Sequence, residues 1–307
     1  MQVIYYGAPG TGKSHKIDTE KVKDVMTDYV FRVTIYPDFT YSDFVGQLLP
    51  VVKTKNGSEK EITYEFVKGV FTKALEKAYE DTSKDVYLII EEMSRGDCAA
   101  IFGDIFQLLD REKEGVNKGY SRYFINNEMI SKDIHALEGN RVKLPPKFHI
   151  LGTVNTSDQN VFVMDTAFKR RFEWEYVSAD PVKNGEGEYI NNPMISYFKG
   201  KEQKQTEWKD FYQKLNQFIV DNKYLGLGED KQIGPFFIEF ESIDDTEEVK
   251  KKIKNKLLQY LWEDIQKTAY KSDVRLFDES IGTFSDLYSK FENNQIFSNE
   301  FIKLLTI

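Results

Sequence analysis

The stretch Gly7-Ala8-Pro9-Gly10-Thr11-Gly12-Lys13-Ser14 has the spacing G-x-x-x-x-G-K-[ST], whose residue types suit a bound triphosphate. Its glycines let backbone N–H groups turn inward onto phosphate oxygens. In that arrangement Lys13 reaches the β/γ oxygens and the Ser14 hydroxyl ligates Mg²⁺. Strand-like Val3-Ile4-Tyr5-Tyr6 precedes the loop and a helical stretch follows, so a helix N-terminus adds partial positive charge. A second element ends a buried-strand run: Val86-Tyr87-Leu88-Ile89-Ile90 leads into Glu91-Glu92. The first acid at such a strand end would hold Mg²⁺ through water, and the second would orient an attacking water. Asp-Glu is the commoner pair, but the longer Glu91 side chain still reaches a Mg²⁺ water shell. Asn155, at the end of a further core strand, is placed to sense a γ-phosphate. Arg170-Arg171 close a short helical stretch and suit an arginine finger offered to a neighbouring subunit's nucleotide. A solvated basic helix end that favours the helix dipole is the plain alternative for such a pair.

Positioning these groups requires a sheet. Val3–Tyr6, Phe31–Ile35, Val86–Ile90 and Phe148–Val154 are short, rich in β-branched and aromatic residues, and read as strands. Helical stretches are expected between them at Lys13–Met26, Phe71–Asp81 and Ala99–Leu109. Strands alternating with helices predict an α/β fold, a three-layer αβα parallel sheet covered on both faces. Segment 112–147, with Gly115, Gly119, Asn126-Asn127 and Gly139-Asn140, reads as an inserted hairpin. Residues 181–203 are polar and Gly/Asn-rich and predict a linker or long loop. Beyond it, Trp208, Phe211, Tyr212, Leu215, Phe218 and Ile219 recur at helical spacing, as do Val249, Ile253, Leu257, Leu261, Trp262 and Ile265. Such stripes could form an aromatic binding surface, but they mostly report burial, here in the core of a small helical domain. The expected division is a large nucleotide-binding domain over 1–180 and a helical lid over 181–307.

Composition narrows the classes. The 307-residue chain is 40% hydrophobic and 30% charged, as soluble globular proteins are. It holds no apolar run of about 18 residues, the length a membrane span needs, and no secretion signal is evident at the start. One cysteine, Cys98, excludes an internal disulfide framework and predicts a reducing, cytoplasmic setting. His15, His135 and His149 are too scattered to join that cysteine in a conventional zinc site. The net charge of −8 makes the chain a poor free-standing binder of a polyanion. Any nucleic acid involved would therefore be held by a local patch in an assembled ring, or by a separate domain or partner. Because Val3 already opens the strand feeding the loop, a further domain is expected either upstream or on another polypeptide.

Five stretches in order carry a family resemblance. They are Gly7–Ser14; Tyr41-Ser42-Asp43-Phe44-Val45-Gly46 before Leu49-Pro50; Glu91-Glu92-Met93-Ser94-Arg95-Gly96-Asp97 leading to Phe102-Gly103-Asp104; Leu144-Pro145-Pro146 running into Thr153-Val154-Asn155-Thr156-Ser157-Asp158; and Asp165-Thr166-Ala167-Phe168-Lys169-Arg170-Arg171-Phe172. On these the chain resembles the AAA+ superfamily and, within it, the McrB-like branch, the GTP-hydrolysing motors of modification-dependent restriction systems. The resemblance covers 3–177 well, and beyond it Lys231-Gln232-Ile233-Gly234-Pro235-Phe236 is faintly similar to the lid motif. It implies a homo-oligomeric ring, a hexamer, with active sites between subunits, hydrolysing GTP (or ATP) with Mg²⁺ to drive DNA translocation in phage defence. It also implies a McrC-like partner that stimulates hydrolysis and brings the nuclease. By position, Gly7 to Ser14 bind the phosphates, Ser14 and Glu91 hold Mg²⁺, and Glu92 positions water. Asn155 with Asp158 forms the signature loop, Arg170 and Arg171 form the trans-acting pair, and Arg95 is the family's arginine after the acids. Ser157 and Gln159 stand where the family's Asn-Thr-Ala-Asp-Arg has Ala and Arg, and Glu-Glu-Met-Ser-Arg stands for Asp-Glu-Ile-Asn-Arg. A MoxR-like remodelling chaperone, ATP-dependent and acting on protein partners, shares much of this core and is the alternative. Retention of Lys13, Glu92 and Arg170 argues against a non-hydrolysing scaffold, and no acceptor-substrate motif points to a kinase.

Overall fold

A computed structural model describes every residue except 56–58, 138, 157–163, 270–273 and 307. Contacts divide the chain into two compact units. One comprises the described residues of Met1–Tyr6, Ser14–Val154 and Asp158–Glu175; the other comprises those of Gly7–Lys13, Asn155–Ser157 and Tyr176–Ile307.

In chain order the elements that build the first unit are β1 (Gln2–Gly7), α1 (Lys13–Glu20), β2 (Val30–Thr34), α2 (Tyr41–Val45), β3 (Gly46–Lys55), β4 (Glu59–Lys68), α3 (Val70–Glu80), β5 (Val86–Glu91), α4 (Cys98–Phe102), β6 (Ile125–Asn126), α5 (Glu128–Asp133), β7 (Arg141–Val142), β8 (Phe148–Asn155), α6 (Thr166–Lys169) and β9 (Glu173–Tyr176). The main sheet has the order β2-β5-β8-β1-β9. β2 pairs parallel with β5, and β5 with β8. Bonds from Ile150 N to Met1 O and from Thr156 N to Gly7 O keep one offset, so β8 and β1 also run parallel. The carboxyl ends of β1, β5 and β8 therefore share one rim, where open α/β sheets bind ligands. Val86 to Ile90 are all buried, as a parallel strand covered on both faces requires. α3 buries Phe71, Ala74, Leu75 and Ala78 in the same core as Phe44, Phe102 and Phe148.

The family-like Tyr41-Ser42-Asp43-Phe44 stretch is a capped turn. Thr40 and Asp43 form a reciprocal capping box at α2, and Phe44 is fully buried. Tyr41 donates its hydroxyl to Asp104 Oδ1 at 2.9 Å.

The four predicted strands form β1, β2, β5 and β8, but several other expectations need correction. The first helix stops at Glu20 rather than Met26, because Lys21 N and Val22 N both turn back to Ile17 O and the polar residues beyond have little to bury. The helix expected over Ala99–Leu109 breaks after Phe102 at Gly103, whose φ is +48° and where a Cβ would sit 2.9 Å from the Tyr41 ring. The segment 112–147, expected as one inserted hairpin, holds among its described residues a tight turn in which Glu112 N donates to Tyr120 O and Gly119 N to Glu112 O, and then the two-residue ribbon β6–β7 around α5. Half-buried Arg111 anchors it, donating to Gln2 Oε1 and to the carbonyls of Gly119, Leu144, Pro145 and Phe148. Burial pushes that guanidinium down to about 10. The long hairpin of this unit is β3–β4, in register from Gly46↔Lys68 to Lys55↔Glu59. Pro50 inside β3 hid it, since proline argues against a strand.

The second unit continues with β10 (Met194–Lys199), β11 (Glu202–Glu207), α7 (Trp208–Val220), α8 (Thr246–Lys252), α9 (Leu258–Tyr260), α10 (Phe284–Lys290) and α11 (Asn299–Leu305). Wide π-helical turns at Ile253–Leu257 and Leu261–Gln266 carry the helix from α8 through α9. Both predicted apolar stripes are core: Trp208, Phe211, Leu215, Phe218, Val249, Leu257, Leu261 and Ile265 are buried in one cluster. The linker expected over 181–203 is corrected in its last third. There β10 pairs antiparallel with β11 around a turn at Gly200, φ +61°. The ribbon turns Ile195 and Tyr197 into the core of the unit, and its polar composition reflects the face left outside.

Candidate functional site

The loop Gly7–Lys13 is organised within the second unit. Gly10 has φ +75° and Gly12 φ +86°, conformations open to glycine at little cost. The Thr11 hydroxyl, buried, donates to Ala8 O at 3.1 Å. Lys13 is 7% exposed, and its ammonium donates to Gly7 O at 3.1 Å and Ala8 O at 2.9 Å. The ammonium is thus held against the loop whose N–H groups would cradle phosphate. Asn155 is half-buried at the end of β8, and Thr156 N donates to Gly7 O at 3.2 Å.

A feature that sequence reasoning saw only faintly braces this loop. Gly234 N donates to Pro9 O at 2.9 Å and Phe236 N to Gly10 O at 2.8 Å. A Cβ on Gly10 would lie 2.2 Å from Phe237 N, and one on Gly234 would lie 2.4 Å from Gly10 O. The bracing segment is itself pinned by buried amides and rings. Asn216 exchanges two bonds with Ile233, Asn191 donates to Pro235 O and Ile238 O, Trp208 Nε1 donates to Pro235 O, and Tyr260 donates to Lys231 O. In the sequence Lys231–Phe236 stands out only by its faint likeness to the lid motif, because the bonds that give it a role come from residues far along the chain.

The acidic cluster belongs to the first unit. Glu91 ends β5, and its side chain is 12% exposed. Its Oε2 accepts from the Ser14 hydroxyl at 2.9 Å and from the Thr153 hydroxyl at 2.6 Å. Its Oε1 accepts from Arg32 at 2.7 Å, and Arg32 also pairs with Asp18 of α1. Glu92 takes a left-handed conformation, φ 57° and ψ 44°, rare for a residue of its kind, and its N–H donates to Thr153 Oγ1 at 3.1 Å. Arg95 Nε lies 3.4 Å from Glu92 Oε2. Converging hydroxyl and carboxylate oxygens are the hard donors Mg²⁺ takes when it keeps several waters and phosphate oxygens as well. Ser14 and Glu91 therefore fit the group expected of them. Among the described residues no cluster of three or more His, Cys, Asp or Glu offers a different metal site. Arg32, Asp18 and Thr153 escaped the sequence reading. Only for Thr153 was there a signal: it lies two residues before Asn155, on the same face of one strand.

The arginine pair divides. Arg170 is exposed at the end of α6. Arg171 is turned inward: its side chain, 10% exposed, pairs with Asp110 at 2.7 Å, donates to Ala167 O at 2.9 Å and covers the Phe106 ring at 4.0 Å. Of the pair expected to reach a neighbouring subunit, Arg171 is thus engaged by its own chain, whereas Arg170 is exposed. Asp158 lies outside the described residues. Cys98 is buried, and burial pushes its thiol up to about 12.

Comparison with known proteins accords with this geometry. Residues 2–172 match the family model "AAA domain (dynein-related subfamily)". The chain is 36% identical over 312 aligned residues to the type II restriction enzyme BsuMI component YdiS of Bacillus subtilis (strain 168), covering 95% of this chain and 85% of that protein. It is 25% identical over 175 residues to the type IV methyl-directed restriction enzyme EcoKMcrB subunit of Escherichia coli (strain K12), covering 56% of this chain and 34% of that protein.

Proposed function

Because the chain belongs to the dynein-related AAA family and is a McrB-like AAA+ protein related to restriction-system components, we propose that it is the GTP-hydrolysing (or ATP-hydrolysing) ring motor of a McrBC-like restriction complex. The observation that carries the reading is the Glu91 carboxylate, which gathers Ser14, Thr153 and Arg32 with Glu92 next in the chain. In this reading the loop amides of Gly7 to Gly12 and the Lys13 ammonium bind the triphosphate. Ser14 and Glu91 hold Mg²⁺, which neutralises charge on the β/γ oxygens. Glu92 orients the attacking water, while Asn155 and Asp158 border the γ-phosphate. Arg170, exposed, serves the nucleotide of a neighbouring subunit in a hexameric ring. Residues 1–180 form the catalytic domain, and 181–307 form a lid that braces the phosphate loop through Gly234 and Phe236. The motor would draw DNA towards a McrC-like nuclease partner, which accords with an acidic chain that needs help to hold a polyanion. A cytoplasmic setting accords with one buried thiol, and no helix among the described residues is long and apolar enough to cross a membrane.

Steady-state phosphate release from GTP and from ATP, with and without the nuclease-bearing partner and DNA, tests this. Turnover of GTP above ATP, stimulated by the partner, is expected. Hydrolysis of neither nucleotide in the presence of Mg²⁺ and partner would sink the proposal. ATP turnover stimulated by a protein substrate alone would replace it with the remodelling activity of a MoxR-like chaperone.

A further inference from the structure

Resting on that reading, we propose that Thr153 is a positioning residue for hydrolysis, its hydroxyl fixing the water-orienting Glu92 relative to Glu91. Thr153 is 3% exposed on β8. It gives its one proton to Glu91 Oε2 at 2.6 Å and receives the Glu92 N–H at 3.1 Å. The polarity of this relay is forced. An ionised carboxylate only accepts and a backbone amide only donates, so the hydroxyl between them has one orientation. Movement of the Glu91 carboxylate is thereby passed to the backbone from which the Glu92 side chain projects. That backbone is held at φ 57°, a conformation that persists only where its surroundings over-determine it. The strand beneath is closely packed: a Cβ on the neighbouring Gly152 would lie 2.1 Å from Met93 Sδ. The same Glu91 oxygen accepts from Ser14 at 2.9 Å, so Thr153 links the loop serine, the metal-holding acid and the water-orienting acid.

The test compares Thr153→Val, which keeps the shape and loses the hydroxyl, with Thr153→Ser, which keeps the hydroxyl. Each is assayed for turnover, for affinity toward a mant-labelled nucleotide in EDTA, and for its melting temperature. Thr153→Val should lower kcat by about 10- to 100-fold, the scale of a misplaced catalytic group. Metal-free nucleotide affinity should stay within about twofold, and Thr153→Ser should recover most of kcat. If Thr153→Val melts early, Thr153→Ala takes its place with the same expectation. Parent-like kcat without the hydroxyl would overturn the proposal. So would a loss matched in nucleotide affinity, or one that serine does not restore. Glu92→Gln is run alongside: parent-like turnover there would sink the parent reading itself, whereas an inactive Glu92→Gln beside an active Thr153→Val would sink this proposal alone.

Discussion

Two adjacent arginines show how closely roles are set at the scale of single residues. Arg170 projects from α6, whereas Arg171 is locked to Asp110, Ala167 and the Phe106 ring. Arg170→Ala should therefore leave the melting temperature unchanged and abolish turnover in the assembled protein. Arg171→Ala breaks a partly buried, charged hydrogen bond and should cost about 1.5–3 kcal/mol of stability. Thermal melts alongside phosphate-release assays check both, and a stable but inactive Arg171→Ala would reverse the assignment. The sequence made the pair visible without saying which member faces inward, since that depends on Asp110 and Phe106 some sixty positions away. Lys13, Ser14, Glu91 and Glu92 were legible because their chemistry sits in contiguous motifs. Arg32 and Thr153 were not, because only the pairing of β2, β5 and β8 brings them to Glu91.

At the scale of elements, backbone fit matters more than side-chain identity. The segment from Ile233 to Phe236 meets the phosphate loop through two backbone bonds, and neither Gly10 nor Gly234 has room for a methyl group. Gly234→Ala would press on Gly10 O and on Thr11 Cα, each within 2.5 Å of the new Cβ, and backbone atoms cannot swing away as a side chain can. Mant-nucleotide titration should show affinity reduced by about tenfold or more, corresponding to about 1.4 kcal/mol. Parent-like affinity would mean that the brace does not shape the loop. Amphipathic stripes made α3 and α7 readable because one face of each is buried. The β3–β4 hairpin resisted the same reading: its apolar pairs Leu48↔Phe66, Pro50↔Tyr64 and Val52↔Ile62 are largely exposed, so burial left no simple alternation. The break at Gly103 was equally hidden, since it reflects the Tyr41 ring packed against it from another helix.

For the whole molecule, alternation of strand and helix predicted a parallel sheet, and β2, β5 and β8 pair in parallel as expected. The expectation of a ring rests on resemblance alone, because a ring is made by surfaces that one chain does not pair for itself. The central claim is that Glu92 orients the water that cleaves a Mg²⁺-bound triphosphate. The most direct measurement is phosphate release by the parent and by Glu92→Gln under identical protein, Mg²⁺ and nucleotide concentrations, with nucleotide binding followed in parallel. The account predicts that Glu92→Gln binds nucleotide as the parent does and releases no phosphate above background. Release at the parent's rate would contradict it.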